Sequence, residues 1–157
     1  MKEVYYKAAS VYKSTSVFVM SLMYILIGIK HFTEPDFFLN IVPPKIPFKL
    51  FAVYFTGALE ILGGALILSR KSRRIGAYVL ICLLVVVFPA NIYLYLFEAP
   101  QQLTGVNENQ ALIRMPFQIP LILLAYWHSS ENHPKWCNLI CLIAFIPTIA
   151  YFIFISA

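Results

Sequence analysis

Long apolar blocks dominate this chain. Five mostly apolar runs, separated by short polar or proline-rich breaks, account for nearly all of the sequence. Each run is close to the ~20 residues that a helix needs to cross the hydrocarbon core of a bilayer. The pattern therefore predicts five membrane-spanning helices, at about 14–30, 48–69, 75–97, 111–128 and 139–156.

Composition places these runs in one membrane domain. Of the 157 residues, 61% are hydrophobic and 12% are charged, and the mean hydropathy is +0.77. A soluble domain has about 25% charged residues. We therefore predict an all-α fold, a polytopic membrane helix bundle that forms a single integral membrane domain over residues 1–157. The net charge of +5 lies in the loops, so it indicates a lipid bilayer rather than a nucleic acid as the partner.

The basic residues predict how the chain is oriented in the membrane. The short turn at 70–74 has the sequence RKSRR, and the positive-inside rule makes such a turn cytoplasmic. Lys2, Lys7 and Lys13 precede the first apolar run, and no A-x-A-like cleavage site follows it. We expect a retained signal anchor, with the N-terminus inside the cell and the C-terminus outside. The chain is then a multi-pass protein of the cell membrane.

The segment 33–47, TEPDFFLNIVPPKIP, differs from an ordinary polar loop. It mixes acids with aromatic and aliphatic residues and ends in several prolines, which disfavour helix in the residue before them. We interpret it as an interfacial or shallow re-entrant segment that caps the helices on the outer side. Non-helical backbone at that depth is tolerated only against protein or water.

One acid, Glu60, lies near the middle of the second apolar run. A carboxylate there is costly to bury, so it should face protein or water rather than lipid. Its neighbours at helical spacing are Thr56, Gly57, Gly63 and Gly64, which make a small and polar helix face. Two interpretations stay open: a structural hydrogen bond to another helix, or a group that handles a ligand, a proton or a substrate.

Polar side chains from four predicted helices lie at related depths in the outer half, while the inner half is almost purely apolar. Asn91 is either an interhelical hydrogen-bonding group or part of a cavity, and Pro89 should free a carbonyl near Val85. Arg114 is either an interfacial cation or a pocket residue. Glu60 lies deeper than the others, so contact with it requires the outer helix ends to bend inward. We predict an outward-facing polar pocket, with these candidate ligand-binding residues: His31, Glu60, Asn91, Arg114 and Gln118.

Thiol and metal chemistry have little support in the sequence. The three cysteines, Cys82, Cys137 and Cys141, form no C-x-x-C pair, so a dithiol mechanism lacks its residues. We interpret all three as small buried hydrophobic residues. His128 and His133 flank an inner loop without a metal-binding pattern, and no metal site is predicted.

Several short motifs recur around the polar and glycine positions. They are Gly28-x-x-His31-Phe32-x-x-Pro35, Phe38, Pro43-Pro44, Gly57-x-x-Glu60-x-x-Gly63-Gly64, Arg73-Arg74, Phe88-Pro89-Ala90-Asn91 and Arg114-x-Pro116-x-Gln118. In combination they resemble the bacterial DoxX family of small membrane proteins. The likeness covers about residues 14–128 and implies a four-helix core in the bacterial inner membrane. The run at 137–157 departs from it and is expected to be an extra C-terminal transmembrane helix. The location of the C-terminus depends on this extra span.

The resemblance implies two functions and leaves open whether the protein is an enzyme. The family name comes from a two-subunit thiosulfate:quinone oxidoreductase, and other members are linked to thiol and oxidative-stress defence. This favours an accessory or quinone-reactive subunit of a membrane redox system, with quinone as the candidate cofactor, a redox protein as partner, and Glu60 and His31 as proton-handling groups. A related animal group assists receptor assembly. The alternative is therefore a non-enzymatic binding or assembly factor for a lipid-like ligand or a partner membrane protein.

Overall fold

The computed structural model describes the backbone of residues 2–155 and the side chains of residues 10–134 and 136–151. Within that part of the chain all regular structure is helical, which confirms the all-α prediction. The end of the predicted fifth span, at residue 156, lies outside the described residues. The helices are α1 (Lys2–Thr33), α2 (Pro35–Ile41), α3 (Lys49–Leu68), α4 (Arg73–Leu96), α5 (Glu98–Thr104), α6 (Glu108–His128) and α7 (Lys135–Ile155).

Three of these helices have the length and apolar composition of a membrane span: Ser10–Thr33 within α1, Lys49–Leu68 and Arg73–Leu96. The fourth and fifth apolar runs also form helices, α6 and α7, of 21 residues each. Within α7 the apolar stretch Trp136–Tyr151 is shorter than those three. Whether α6 and α7 cross a bilayer therefore stays a prediction.

Glycines set how closely the long helices approach. In the bundle α1 packs on α3, α3 on α4, α4 on α6, and α6 on α7. A Cβ added to Gly57 of α3 would lie 2.5 Å from the Cβ of His31, and one added to Gly63 would lie 2.7 Å from Leu80 of α4. Such contacts leave no room for a larger side chain. The small face predicted around Glu60 therefore has two partners, because Gly57 meets α1 and Gly63 meets α4.

The apolar core lies toward the end of the bundle that holds the turn at 69–72 and the loop at 129–134. We call it the basic end, after Arg70 and Lys71 in that turn. Its fully buried residues include Met20, Ile67, Leu80, Leu124 and Trp127. At the other end, which we call the capped end, α2 and α5 lie beside each other across the bundle. The core is therefore dense at the basic end, and the site described below lies at the capped end.

The cysteine prediction is correct for two residues and wrong for the third. Cys137 and Cys141 are buried in the core at the basic end, as expected. Cys82 is exposed. It lies one turn from Tyr78 on an outward face of α4, and Tyr78 is also exposed. Hydrophobicity alone did not distinguish the inward from the outward face of this almost uniformly apolar helix.

The segment 33–47 caps the bundle, and its interpretation as non-helical backbone is wrong for residues 35–41 but correct for residues 42–47. α1 continues to Thr33, and Pro35–Ile41 forms the short helix α2. Pro35 occupies the first turn of α2, where its missing N–H costs no hydrogen bond. The proline pair at 43 and 44 comes only after the helix has ended. The helix α2 contacts α1, α3, α4 and α5, which is the capping position that the sequence predicted.

The start of α6 also differs from the prediction. Asn107 and Gln110 form a capping box: the Asn107 side chain accepts from the Gln110 backbone N–H at 2.9 Å, and the Gln110 side chain accepts from the Asn107 N–H at 3.0 Å. The helix therefore begins at Glu108, before the apolar run starts. Pro116 and Pro120 both lie in the interior of this helix.

Candidate functional site

A cavity of about 740 Å³ lies in the capped-end half of the bundle. Side chains from all of the first six helices line it. Its walls are mainly apolar, with Phe51, Phe55 and Leu121 among them, and its volume is typical of a small-molecule site. The structure brings all the predicted site residues to this one cavity: His31, Glu60, Asn91, Arg114 and Gln118.

His31 and Glu60 meet directly. The His31 Nδ1 lies 3.3 Å from the Glu60 Oε2, and both side chains are largely buried. We expected such contact to require the outer helix ends to bend inward. Side chains on a helix lean toward its N-terminus. Since α1 and α3 run in opposite directions, His31 leans toward the middle of the bundle and Glu60 leans toward the capped end, which shortens the distance between the two side chains.

Two further contacts hold the His31 ring in place. Its Nδ1 lies 2.9 Å from the carbonyl oxygen of Ile27, and its ring stacks on Phe38 of α2 at 3.6 Å between centroids. In the tautomer with the proton on Nδ1, this nitrogen donates to the Ile27 carbonyl, because a carbonyl oxygen only accepts hydrogen bonds. The 3.3 Å approach of Nδ1 to Glu60 is the longer of its two polar contacts. The stacked ring also ties α2 to the wall of the cavity.

Asn91 and Gln118 form a polar link between α4 and α6. The Asn91 Nδ2 donates to the Gln118 Oε1 at 3.1 Å, and the Gln118 Nε2 donates to the Leu84 carbonyl. Pro89 has no N–H to offer to the carbonyl four residues earlier, and Leu84 lies beside that position. Asn91 thus fits both interpretations offered for it, because it bonds between helices and also lines the cavity.

Arg114 lies inside the cavity wall and contacts an aromatic ring of α2. Its guanidinium carbon is 5.5 Å from the centroid of Phe37, within the range of a cation–π interaction. Phe37 and Phe38 belong to the same short helix, and their rings meet edge to face at 5.3 Å. One aromatic pair therefore places α2 over both His31 and Arg114.

Three buried polar atoms of the cavity residues lack a hydrogen-bond partner among the described residues. They are the Tyr24 hydroxyl, the Glu60 Oε2 and the Arg114 Nε. Buried polar atoms in proteins are nearly always paired, so each such exception needs an explanation. All three belong to side chains that line the same cavity.

Tyr24 was not among the predicted site residues, although the sequence contained a signal for it. It lies seven residues before His31, and this spacing puts both on the same face of α1. Its ring is 4% exposed, and it lines the cavity below His31. The aromatic ring made it look like part of an apolar run.

The basic end contains a second buried polar cluster, and the expectation of a purely apolar inner half is wrong. Lys13 is 7% exposed; its ammonium donates to the Ser130 carbonyl at 2.5 Å and lies 5.3 Å from the Trp127 ring centroid. The Ser16 hydroxyl lies 2.9 Å from the His128 Nε2. Both pairs join α1 to the end of α6. Lys13 and Ser16 share a helix face with the core residue Met20. This spacing was the signal in the sequence that both side chains are buried.

Glu131 connects this cluster to the turn between α3 and α4. It lies 2.9 Å from Arg73 and 3.8 Å from Lys13. Arg73 also donates through its Nε to the Ile67 carbonyl at 2.9 Å, near the end of α3. A cation there is favourable for the exposed carbonyls of a helix C-terminus. These contacts join α1, the turn between α3 and α4, and the loop at 129–134 at the basic end.

A family model described as Domain of unknown function (DUF8561) matches residues 20–129, more than two thirds of the chain. The chain belongs to the DUF8561 family. The matched range contains every candidate site residue and ends just after α6, so α7 lies beyond the part shared with DUF8561. No curated protein and no solved structure matches the chain.

Proposed function

We propose that this DUF8561 protein binds a lipid-soluble molecule with a polar head in the cavity at the capped end. The unpartnered atoms of Tyr24, Glu60 and Arg114 carry this proposal. An apolar molecule would leave all three unsatisfied, at a cost of about 1–3 kcal/mol for each buried group. A fully polar molecule would fit the aromatic and aliphatic walls poorly.

We also propose that the protein is a multi-pass protein of the bacterial inner membrane. In this arrangement α1, α3, α4 and α6 are a four-helix DoxX-like core, and α7 is a fifth span. A helix of 21 residues, the length of both α6 and α7, is about 30 Å long, which matches the hydrocarbon thickness. The residues that resemble DoxX motifs include all five predicted site residues, which supports a DoxX-like site.

A quinone is the ligand that we favour. Its ring carbonyls are acceptors that the Arg114 Nε and the Tyr24 hydroxyl can satisfy, and the hydroxyls of the reduced form can donate to Glu60. When bound, a quinone takes up two electrons and two protons as it is reduced. The electrons would come from a partner redox protein, and Glu60, beside His31, is the residue placed to hold a proton. The protein would then be an accessory or quinone-reactive subunit of a membrane redox system.

The first experiment compares the wild type with Glu60→Gln and with Glu108→Gln, a matched change of an exposed acid. Mass spectrometry identifies small molecules retained after gentle purification, and titration measures quinone affinity. We expect Glu60→Gln to remain folded by thermal stability, to bind quinone at least tenfold more weakly, and to fail to complement a deletion strain. Wild-type binding and complementation by Glu60→Gln would reduce this residue to a structural link and refute the proposed site.

A non-enzymatic binding or assembly factor is the second candidate function. It is favoured by an aromatic surface beside the cavity, where Phe51 and Phe55 stack at 5.7 Å and Phe32 and Tyr54 at 5.3 Å, all on exposed positions. Aromatic side chains are enriched at interfaces between proteins. A partner membrane protein in stoichiometric complex, with no quinone bound, would support this function over the first.

A further inference from the structure

We propose that the cavity opens sideways into the bilayer, between the capped-end halves of α3 and α4. The apolar chain of the bound molecule leaves through this opening while its polar head stays inside. The inference rests on the proposed function and adds to it the side from which the ligand enters. It also specifies the ligand class as a compact polar head with a long apolar chain.

The two helices bordering the opening are in closest glycine contact at the basic end. A Cβ added to Gly76 would lie 2.7 Å from the Cβ of Leu66 and 2.9 Å from the Gly63 carbonyl oxygen. Gly63 in turn contacts Leu80. These contacts bring the α3 and α4 backbones together near the turn that joins them. The capped-end half of α3 carries the bulky side chains of Phe51 and Phe55, which line the cavity.

Side chains at the capped end of this helix pair line the cavity and are exposed as well. Phe51 is 68% exposed, Phe55 is 52% exposed and Val86 of α4 is 69% exposed, and all three line the cavity. Phe51 and Phe55 are four residues apart, so they share a face of α3. A side chain that borders the cavity and is also exposed marks the rim of an opening. All three lie within helices that have the length and composition of a membrane span.

The cavity has a second rim of different chemistry at the capped end. Lys30, Glu34 and Gly105 line the cavity there and are exposed. Exposing an apolar chain to water at the charged rim is unfavourable. Hydrocarbon beyond Phe51 and Val86 is a favourable solvent for the same chain. The two rims therefore separate the two parts of an amphipathic ligand, and the apolar chain takes the lateral opening.

Photo-cross-linking tests the opening directly. The probe is a benzoquinone with a ten-carbon chain that carries a terminal diazirine, added to the full-length protein in lipid nanodiscs. We expect saturable cross-links on the α3 and α4 rim, at Phe51, Phe55 or Val86. Cross-links concentrated at Lys30, Glu34 or Gly105 would overturn the lateral opening while leaving cavity binding intact.

A pair of valine substitutions gives a matched control. Val85 and Val86 are adjacent and both exposed, at 59% and 69%, but of the two Val86 lines the cavity. We expect Val86→Trp to weaken binding of the long-chain quinone at least tenfold and to weaken binding of the same quinone without its chain by less than threefold. Val85→Trp should bind both as the wild type does. Equal effects of the two substitutions would refute the opening, and no saturable binding of either quinone by the wild type would refute the proposed function itself.

Discussion

The His31 Nδ1 lies 3.3 Å from the Glu60 Oε2, yet the same nitrogen lies closer, at 2.9 Å, to the Ile27 carbonyl oxygen. The imidazole is thus held by its own helix and by Phe38 and not by the acid it faces. Glu60 keeps one oxygen without a hydrogen-bond partner in the described part of the chain. Glu60 is therefore held in place but keeps one oxygen free to accept a hydrogen bond from a ligand.

A double-mutant cycle should detect the coupling of this pair. We expect His31→Phe and Glu60→Gln to be non-additive by at least ~0.5 kcal/mol in the free energy of unfolding, because residues in direct contact share an interaction energy. Unfolding in SDS titrations measures the four free energies. His31→Phe combined with Glu108→Gln is the control and should be additive. Additivity in the first cycle would show that the 3.3 Å contact contributes no interaction energy to folding.

Gln118 should be the more costly of two glutamines to replace. Gln118→Leu leaves the Asn91 amide and the Leu84 carbonyl without the partners described above, so we expect a loss of about 1–3 kcal/mol per buried group. Gln102→Leu changes an exposed glutamine of α5 and should be nearly neutral. Thermal unfolding in detergent compares the two. Similar melting temperatures for both variants would contradict the link between α4 and α6.

Lys13 should stabilise the basic end although it is a lysine near a chain terminus. Lys13→Met keeps the length of the side chain but removes the bonds to Ser130 and Glu131 and the cation over Trp127. We expect a clear fall in the free energy of unfolding, of about 1–3 kcal/mol. Lys71→Met, at an exposed position in the turn, should cost little. A Lys13→Met variant as stable as Lys71→Met would show that the buried ammonium is not stabilising.

The orientation of the bundle can be tested with single cysteines. In a background with Cys82, Cys137 and Cys141 replaced by alanine, we expect Lys71→Cys and Asn109→Cys to react with an impermeant reagent from opposite sides of the membrane. Both native residues are exposed, and Asn109 lies outside the capping box of α6. The background itself should still bind quinone, since no thiol is assigned to the site. Labelling of both positions from one side would exclude the predicted topology.

Much of this architecture follows from the apolar pattern. The five apolar runs all form helices, in which the backbone N–H and C=O groups bond within the segment itself. The site residues were recognisable as polar exceptions in apolar surroundings. Their meeting in one cavity was predicted from depth along each helix, but the His31–Glu60 contact was not, because depth ignores the lean of side chains toward the helix N-terminus.

Other features depend on tertiary contacts that pattern does not reveal. Lys13 looks like a flanking charge until the loop at 129–134 folds back over it. The helix α2 is masked by its prolines, although Pro35 is placed to begin a helix and not to prevent one. The outward direction of Cys82 depends on which face of α4 meets α3 and α6, and α4 is too uniformly apolar for the sequence to decide this.

The difference between the two ends of the bundle has a consequence for how the molecule fluctuates. Glycine contacts and the Ser16–His128 pair restrain the basic end, while α2 is placed over the cavity chiefly through the rings of Phe37 and Phe38. We therefore expect α2 to open locally more often than the basic end, and local opening is what amide hydrogen exchange reports. We expect slow exchange near Met20 and Leu80 with or without ligand, and protection of α2 that rises when quinone is bound. The basic end then stays rigid while the capped end fluctuates against it.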